Sequence, residues 1–202
     1  MLEVWKLVGD DSIREAAERV LSVFLERRCE NGAFEQWGFE KDKSSFTHTI
    51  AYTLRGFLES ARMMNNWCRY GEPAMEALEV LLRRAELNGG RLSGAYDMKW
   101  KGKREYSCLT GNVQIAICLL VLEEQAPDLR LVNGAAKLVD YVCSCQRTNI
   151  PKSGLRGGIA GSKPIWGKYM MMRYPNWVAK YHADALMRLM KRLERETTHF
   201  SV

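Results

Sequence analysis

The sequence has no long uninterrupted hydrophobic run. The longest, Val113 to Leu122, is broken by Gln114 and falls well short of the ~20 apolar residues that cross a bilayer. It reads as a buried helix, and no membrane partner is expected. The amino terminus, Met1-Leu-Glu-Val-Trp-Lys6, has neither the basic start nor the apolar block of a secretory signal, so a cytoplasmic location is the expectation. Prolines number only 5 and no polar tract interrupts the 202 residues, which predicts a chain folded throughout, as a single domain over 1–202. There is no C-x-x-C pair, and the only histidines, His48, His182 and His199, stand apart from any cysteine. Cys143 and Cys145 are two apart on a predicted helix and so face different sides. Neither a structural zinc nor any other metal or cofactor is expected. Cys29, Cys68, Cys108, Cys118, Cys143 and Cys145 are read as free thiols, because a core of this size needs no disulfide staples.

What the sequence does have is helical periodicity, arranged in pairs. Ser12 to Arg28 carries Ile13, Ala17, Val20, Leu21 and Phe24 at helical spacing, with Asp11 or Ser12 as cap and a stop at Asn31-Gly32. A polar and aromatic loop follows, and Thr47 opens a second helix through Ile50, Leu54, Phe57, Leu58 and Ala61. The pattern returns with Pro73 to Leu87, a stop at Asn88-Gly89-Gly90, and a helix from about Thr110 to Glu124. It returns again with Leu129 to Gln146, a glycine-rich loop, and a closing helix from Asn176 to Arg195. Stops at Gly32, Gly89 and Gly157 recur at roughly sixty-residue spacing, the mark of stacked supersecondary units. The hairpins are placed at about 11–66, 72–125 and 128–196. Ile115 to Leu122 is apolar all round, whereas the first helix carries Arg14, Glu15, Glu18 and Arg19. The second helices should therefore form an inner layer and the first an outer one. The fold class expected is all-α, with three tandem hairpins in a two-layer arc.

In its succession of outer helix, Asn-Gly turn, aromatic loop and small-residue-rich inner helix, the chain resembles the α/α-toroid superfamily (six-hairpin, terpenoid cyclase–prenyltransferase-like). That superfamily includes terpene cyclases, protein prenyltransferase β subunits, lanthionine cyclases, sugar epimerases and unsaturated glucuronyl hydrolases. The segments Phe46-Thr-His-Thr-Ile-Ala-Tyr-Thr-Leu-Arg-Gly-Phe-Leu-Glu59, Ser107-Cys-Leu-Thr-Gly-Asn112 and Tyr174-Pro-Asn-Trp177 resemble a bacterial branch of it. The resemblance implies a partial toroid, since complete members have five to seven hairpins: a fragment, or an open arc completed by a partner. No Asp-x-Asp-Asp run of the terpene cyclases is present, and no cysteine–histidine zinc set of the lanthionine cyclases and prenyltransferases. The sugar-active branches, which need no metal, fit the residue inventory best.

In such toroids the loops joining outer to inner helices line the mouth of a central funnel. Here they carry Glu35, Trp37, His48 and Tyr52 in the first repeat, Asp97, Trp100, Cys108, Asn112 and Gln114 in the second, and Trp166, Tyr169, Tyr174, Asn176, Trp177 and Lys180 in the third. Aromatic planes with a few directed polar groups suit sugar rings, so a carbohydrate-like ligand is expected. His48, near a helix start, should stay neutral and able to move protons, with Glu35 or Asp97 as the partner carboxylate of an epimerase, lyase or hydrolase reaction. Surface carboxylates and a packed cap explain the same residues without catalysis. Cys108, close to the next helix start, is a candidate low-pKa thiol or simply a small buried residue. Asn112 and Asn176 are explained equally well as helix caps. The net charge of +6 is spread over Lys99–Arg104 and over a final helix that also bears Asp184 and Glu194, a pattern that argues against a nucleic-acid surface. The alternative to an enzyme is a glycan- or protein-binding scaffold. In either case the exposed arc edges predict association with a second copy or another chain.

Overall fold

The computed structural model describes residues 1–40 and 43–199, the last four of these by backbone alone. It has seven α-helices among the described residues: α1 (Leu2–Val8), α2 (Asp11–Glu26), α3 (Thr47–Met64), α4 (Glu72–Leu87), α5 (Leu109–Gln125), α6 (Leu129–Cys145) and α7 (Asn176–His199). α5 lies between α3 and α7, and α4 and α6 pack behind this inner row. Every residue of α5 from Leu109 to Glu123 is buried, the physical counterpart of its all-round apolar sequence. Outer helix α4 buries one stripe, Ala74, Ala77, Leu78, Leu81, Leu82 and Ala85. α2 buries only Ala17 and Leu21, because a groove separates much of its inner face from α3. No described helix is long and apolar enough to cross a membrane.

Several boundaries differ from the sequence expectation. α2 is capped by Asp10, whose Oδ1 accepts from the Ser12 amide at 2.9 Å, and not by Asp11 or Ser12. It ends at Glu26, ahead of Asn31-Gly32. The chain there folds into an Arg28–Phe34 bridge in which the Cys29 amide donates to the Ala33 carbonyl at 2.8 Å and the Ala33 amide to Asn31 Oδ1 at 3.0 Å. This turn sends Ala33 and Phe34 into the core with no exposed surface, a gain that continuing the helix would forgo. α6 likewise ends at Cys145, and Gly157 belongs to the following loop with φ of 81°. Only the middle stop matches: α4 ends at Leu87, with Gly89 and Gly90 at φ of 59° and 81°. Gly90 is required for a second reason, since a Cβ there would sit 2.0 Å from the Lys137 carbonyl oxygen of α6.

Two short antiparallel ladders join successive loops. β1 (Ser45–Phe46) pairs with β2 (Ala95–Tyr96), and β3 (Ser107–Cys108) pairs with β4 (Ser162–Lys163). Each ladder delivers the chain into an inner helix and is continued by one more hydrogen bond. The Thr47 amide donates to the Gly94 carbonyl and the Leu109 amide to the Gly161 carbonyl, both at 3.1 Å. The starts of α3 and α5 are thus fixed by the same stitch to the loop of the hairpin that follows.

Candidate functional site

The repeated stitch makes positions comparable between inner helices. Thr47 and Leu109 occupy the same place, so His48 on α3 corresponds to Thr110 on α5, and one turn later Tyr52 corresponds to Gln114. On α7, Trp177 and Tyr181 repeat the four-residue spacing, and the Tyr181 hydroxyl lies 3.2 Å from that of Tyr52, across α5. Close approach of the helix starts is possible because residue 111 is glycine. A Cβ there would meet Thr47 Cβ at 2.7 Å and the His48 amide nitrogen at 2.8 Å.

His48 is buried with 7% exposure inside a ring of aromatics. Tyr169, from the loop before α7, covers it at 4.3 Å between centroids, with Phe46 at 5.8 Å, Tyr52 at 5.9 Å and Phe39 at 6.3 Å. Tyr169 is held in place by the Trp177 indole, which donates to its hydroxyl at 3.0 Å, and by the Ser162 hydroxyl, which donates to its carbonyl at 2.6 Å. Burial lowers the His48 pKa to about 4, so the imidazole is neutral at neutral pH. Burial, reinforced by Tyr181, pushes the Tyr52 hydroxyl up to about 12. Three buried polar atoms converge here without a hydrogen-bond partner: His48 Nδ1, Thr110 Oγ1 and Gln114 Oε1. The hydroxyls of Tyr169 and Tyr52 lie near Thr110 and Gln114, whose polar side chains favour the phenolate of each tyrosine against the larger opposing effect of burial. They do not meet Thr110 Oγ1 or Gln114 Oε1 in bonding geometry. Leaving such an atom unpaired costs about 1–3 kcal/mol, so three covered polar atoms together single out this cluster within an otherwise largely paired fold.

Not all the expected site residues gather there. Trp37 and Trp100 are each only 4% exposed and pack edge-on at 5.3 Å, with Phe34 and Tyr96 beside them. The Trp100 indole donates to the Asn31 carbonyl at 3.1 Å. These rings form the core beneath two loops and have no face left for a ligand. Asn112 is fully buried. Its amide nitrogen donates to the Gly90 carbonyl at 2.7 Å and its oxygen accepts from the Ser107 hydroxyl at 3.2 Å, so both ends are committed to the fold. Asp97 uses Oδ1 to accept from the amides of Lys99 and Lys101 at 2.9 and 2.7 Å, closing its own turn. Glu35 is exposed just after the Arg28–Phe34 bridge. Neither carboxylate contributes to the shift of His48, which is due to burial alone. Cys108 is no low-pKa thiol, because complete burial pushes it up to about 12. Trp166 is 68% exposed, Asn176 is exposed at the start of α7, and Tyr174 lies under the Arg147 guanidinium at 6.0 Å. Lys180 pairs with Asp184 and covers the Tyr181 ring at 4.5 Å, on the margin of the cluster. The side chain of His199 lies outside the described residues. Thr110 and Tyr181 are the members that the sequence reading missed.

Beside this cluster, all three loops enclose a cavity of about 470 Å³, lined by Phe39 and Phe46 next to His48 and bearing Lys103, Lys168 and the ion pair of Lys43 with Glu40. Among the described residues no group of three or more histidine, cysteine or acidic side chains is placed to hold a metal.

No protein-family model matches the chain, and no curated protein sequence does. Among solved structures it is similar to a UGL variant paired with dGlcA-Glc-Rha-Glc (TM-score 0.73, 19% identity). It is also similar to the unsaturated glucuronyl hydrolase of Bacillus sp. GL1, responsible for the degradation of glycosaminoglycan (TM-score 0.72, 19% identity). A third is an unsaturated glucuronyl hydrolase specific for heparin (TM-score 0.63, 13% identity). Each likeness covers 93% of this chain but only 55%, 55% and 52% of the neighbour, so the chain spans about half the length of the solved structures it matches. At these identities the shared property is the architecture, and the chain is an all-α arc of the α/α-toroid kind.

Proposed function

We propose that this chain is a carbohydrate-active protein that seats a saccharide at the amino-terminal ends of its inner helices. The convergence of His48 Nδ1, Thr110 Oγ1 and Gln114 Oε1 among aromatic rings carries this reading. A sugar ring has C–H faces that stack on the partly exposed Tyr52 and Trp177, and hydroxyls that reach the covered acceptors when Tyr169 moves aside. The solved structures of similar fold are glucuronyl hydrolases, which supports hydrolase-type chemistry on an acidic sugar. Lys103 and Lys168 on the cavity rim, with Lys43 paired to Glu40, suit a carboxylate on that sugar. In a reaction, neutral His48 acts as the general base toward a hydroxyl or water bonded to it. Glu35 or Asp97 then supplies the acid after a change in its loop. A second reading, binding without turnover, is favoured by the lack of any carboxylate acting on His48.

Calorimetric titration with unsaturated uronyl disaccharides and their saturated counterparts tests the proposal. The loss of ultraviolet absorbance of the unsaturated sugar reports hydrolysis in the same samples. Binding that weakens about 5- to 100-fold in Thr110→Val and Gln114→Leu supports the site, as expected for one buried hydrogen bond each. No binding of any sugar, or binding by both variants as tight as by the wild-type chain, overturns it. Binding without loss of absorbance selects the second reading.

A further inference from the structure

Where α4 ends and the loop to α5 begins, three arginines converge on one small cavity. Arg84 comes from the last turn of α4, Arg91 from just after its end, and Arg104 from the far arm of the loop. They surround a space of about 70 Å³, whose wall is completed by Asn88, Ser93 and Tyr96. Among the described residues no carboxylate lines this space, and none of the three guanidinium groups is in an ion pair. The neighbouring residue on α4 behaves differently, since Arg83 bonds Glu79 at 2.8 Å. Arg84 lies instead over the Tyr96 ring at 5.3 Å, and Arg91 donates to the Arg104 carbonyl at 2.6 Å, which draws the two arms of the loop together. A basic side chain at the carboxyl end of a helix complements its dipole. That accounts for Arg84 but not for Arg91 and Arg104, which lie on the loop beyond it. Tyr96 is only 1% exposed. Its hydroxyl accepts from the Ser93 amide at 3.0 Å, which leaves its own proton to donate. Arg84 and Arg104 both stand near enough to oppose the rise in its pKa that burial causes.

Guanidinium groups stay charged at any ordinary pH, so three of them with no counter-charge repel one another. Their planar forks match a group that offers several oxygens, and three positive charges favour two negative ones over the single charge of a carboxylate. The space is far below the roughly 300–1,000 Å³ of pockets that enclose whole organic ligands, so it takes one compact group and not a sugar ring. We infer that this cavity binds a phosphate-type dianion, free or as the monoester of a larger molecule, held by Arg84, Arg91, Arg104 and the Tyr96 hydroxyl. The same loop anchors α3, because the Ser93 and Gly94 carbonyls accept from the Thr47 hydroxyl and amide. It also lines the cavity of about 470 Å³, but through other residues, Ala95, Lys103 and Tyr106. A dianion bridging Arg91 and Arg104 therefore fixes both arms of the segment on which the start of α3 rests, without entering the aromatic cluster around His48.

Calorimetric titration of the 202-residue chain with inorganic phosphate and sulfate tests this, at about pH 8, where phosphate is a dianion, and against chloride at matched ionic strength. One dianion should bind per chain. Arg84→Gln and Arg104→Gln should each weaken it about 10- to 100-fold, as for the loss of one charge-assisted hydrogen bond. Arg104→Lys, which keeps the charge and loses the fork, should fall between wild type and Arg104→Gln. Arg83→Gln removes the same charge outside the cavity and should leave binding unchanged. All these positions are exposed or half-buried, and thermal unfolding without added anion monitors whether each variant still folds. Binding no tighter than that of chloride overturns the inference. So does equal weakening by Arg83→Gln, which would mean attraction to diffuse surface charge. Glucose 6-phosphate, with glucose as control, distinguishes the source. Binding tighter than that of inorganic phosphate, and weakened by Arg104→Gln, assigns the cavity to a phosphate carried on a larger molecule; weaker binding assigns it to the free ion, and both support the site. The inorganic ions carry no sugar, so failure here and failure of the saccharide site are separable.

Discussion

His48 offers a direct check on whether the cluster at the inner-helix starts is as dry as its geometry states. Burial lowers its pKa from 6.5 to about 4. The folded protein therefore binds fewer protons than the unfolded chain between those values. The neutral imidazole contributes its full stability above pH 6.5, and that contribution is lost as pH falls toward 4. Each pH unit in this window costs about 1.4 kcal/mol, so the whole window is worth about 3 kcal/mol. Denaturant unfolding of the wild-type chain and His48→Gln at intervals from pH 7 to pH 4 isolates the effect, because His182 and the carboxylates titrate in both proteins and cancel. The wild-type advantage should shrink by about 3 kcal/mol over the range. NMR titration of the His48 ring gives the folded pKa independently. A difference between the two proteins that stays flat with pH, or a ring that titrates near 6.5, would refute the claim that His48 sits neutral in a desolvated pocket.

Two further outcomes follow from groups that the structure commits to the fold. Asn112→Ala strands the Gly90 carbonyl and the Ser107 hydroxyl. It should cost about 2–4 kcal/mol, or roughly 5–12 °C in Tm for a chain of this length, while sugar affinity of the folded protein is unchanged. An unaltered Tm with weakened sugar binding would return Asn112 to the ligand. Alkylation of the native protein followed by mass spectrometry should label exposed Cys68 and Cys143 first and leave Cys108 and Cys118 untouched until unfolding, since burial holds both thiols at about 12. Rapid labelling of Cys108 would contradict its burial between Tyr106 and Tyr169.

The architecture was legible because α5 is apolar on every side while α2 and α4 carry one stripe each, and that difference separates an inner from an outer layer without any coordinates. His48 and Tyr52 were legible for a related reason: they stand in the first turns of a helix whose start Thr47 announces. Thr110 and Tyr181 were not, because their role comes from their alignment with His48 and Tyr52. That alignment is set by the two ladders, strands of two residues that leave no periodicity to read. Loop aromatics misled in the opposite direction. Trp37 and Trp100 have the composition of a binding surface, but the loops over them are long enough to need a core of their own, and they supply it. Position relative to a helix start separated the aromatics around His48 from those of the loop core better than residue type did.

The two stitches also give the chain a direction of dependence. Thr47 is anchored by Gly94 and Leu109 by Gly161, so α3 and α5 each take the backbone bond at their start from the hairpin downstream, while the ladder beside it holds both strands alike. Trimming from the amino-terminal side removes a helix that receives such a bond and leaves the start of α5 held. Trimming from the carboxy-terminal side takes the Gly161 carbonyl and loosens the buried central helix with it.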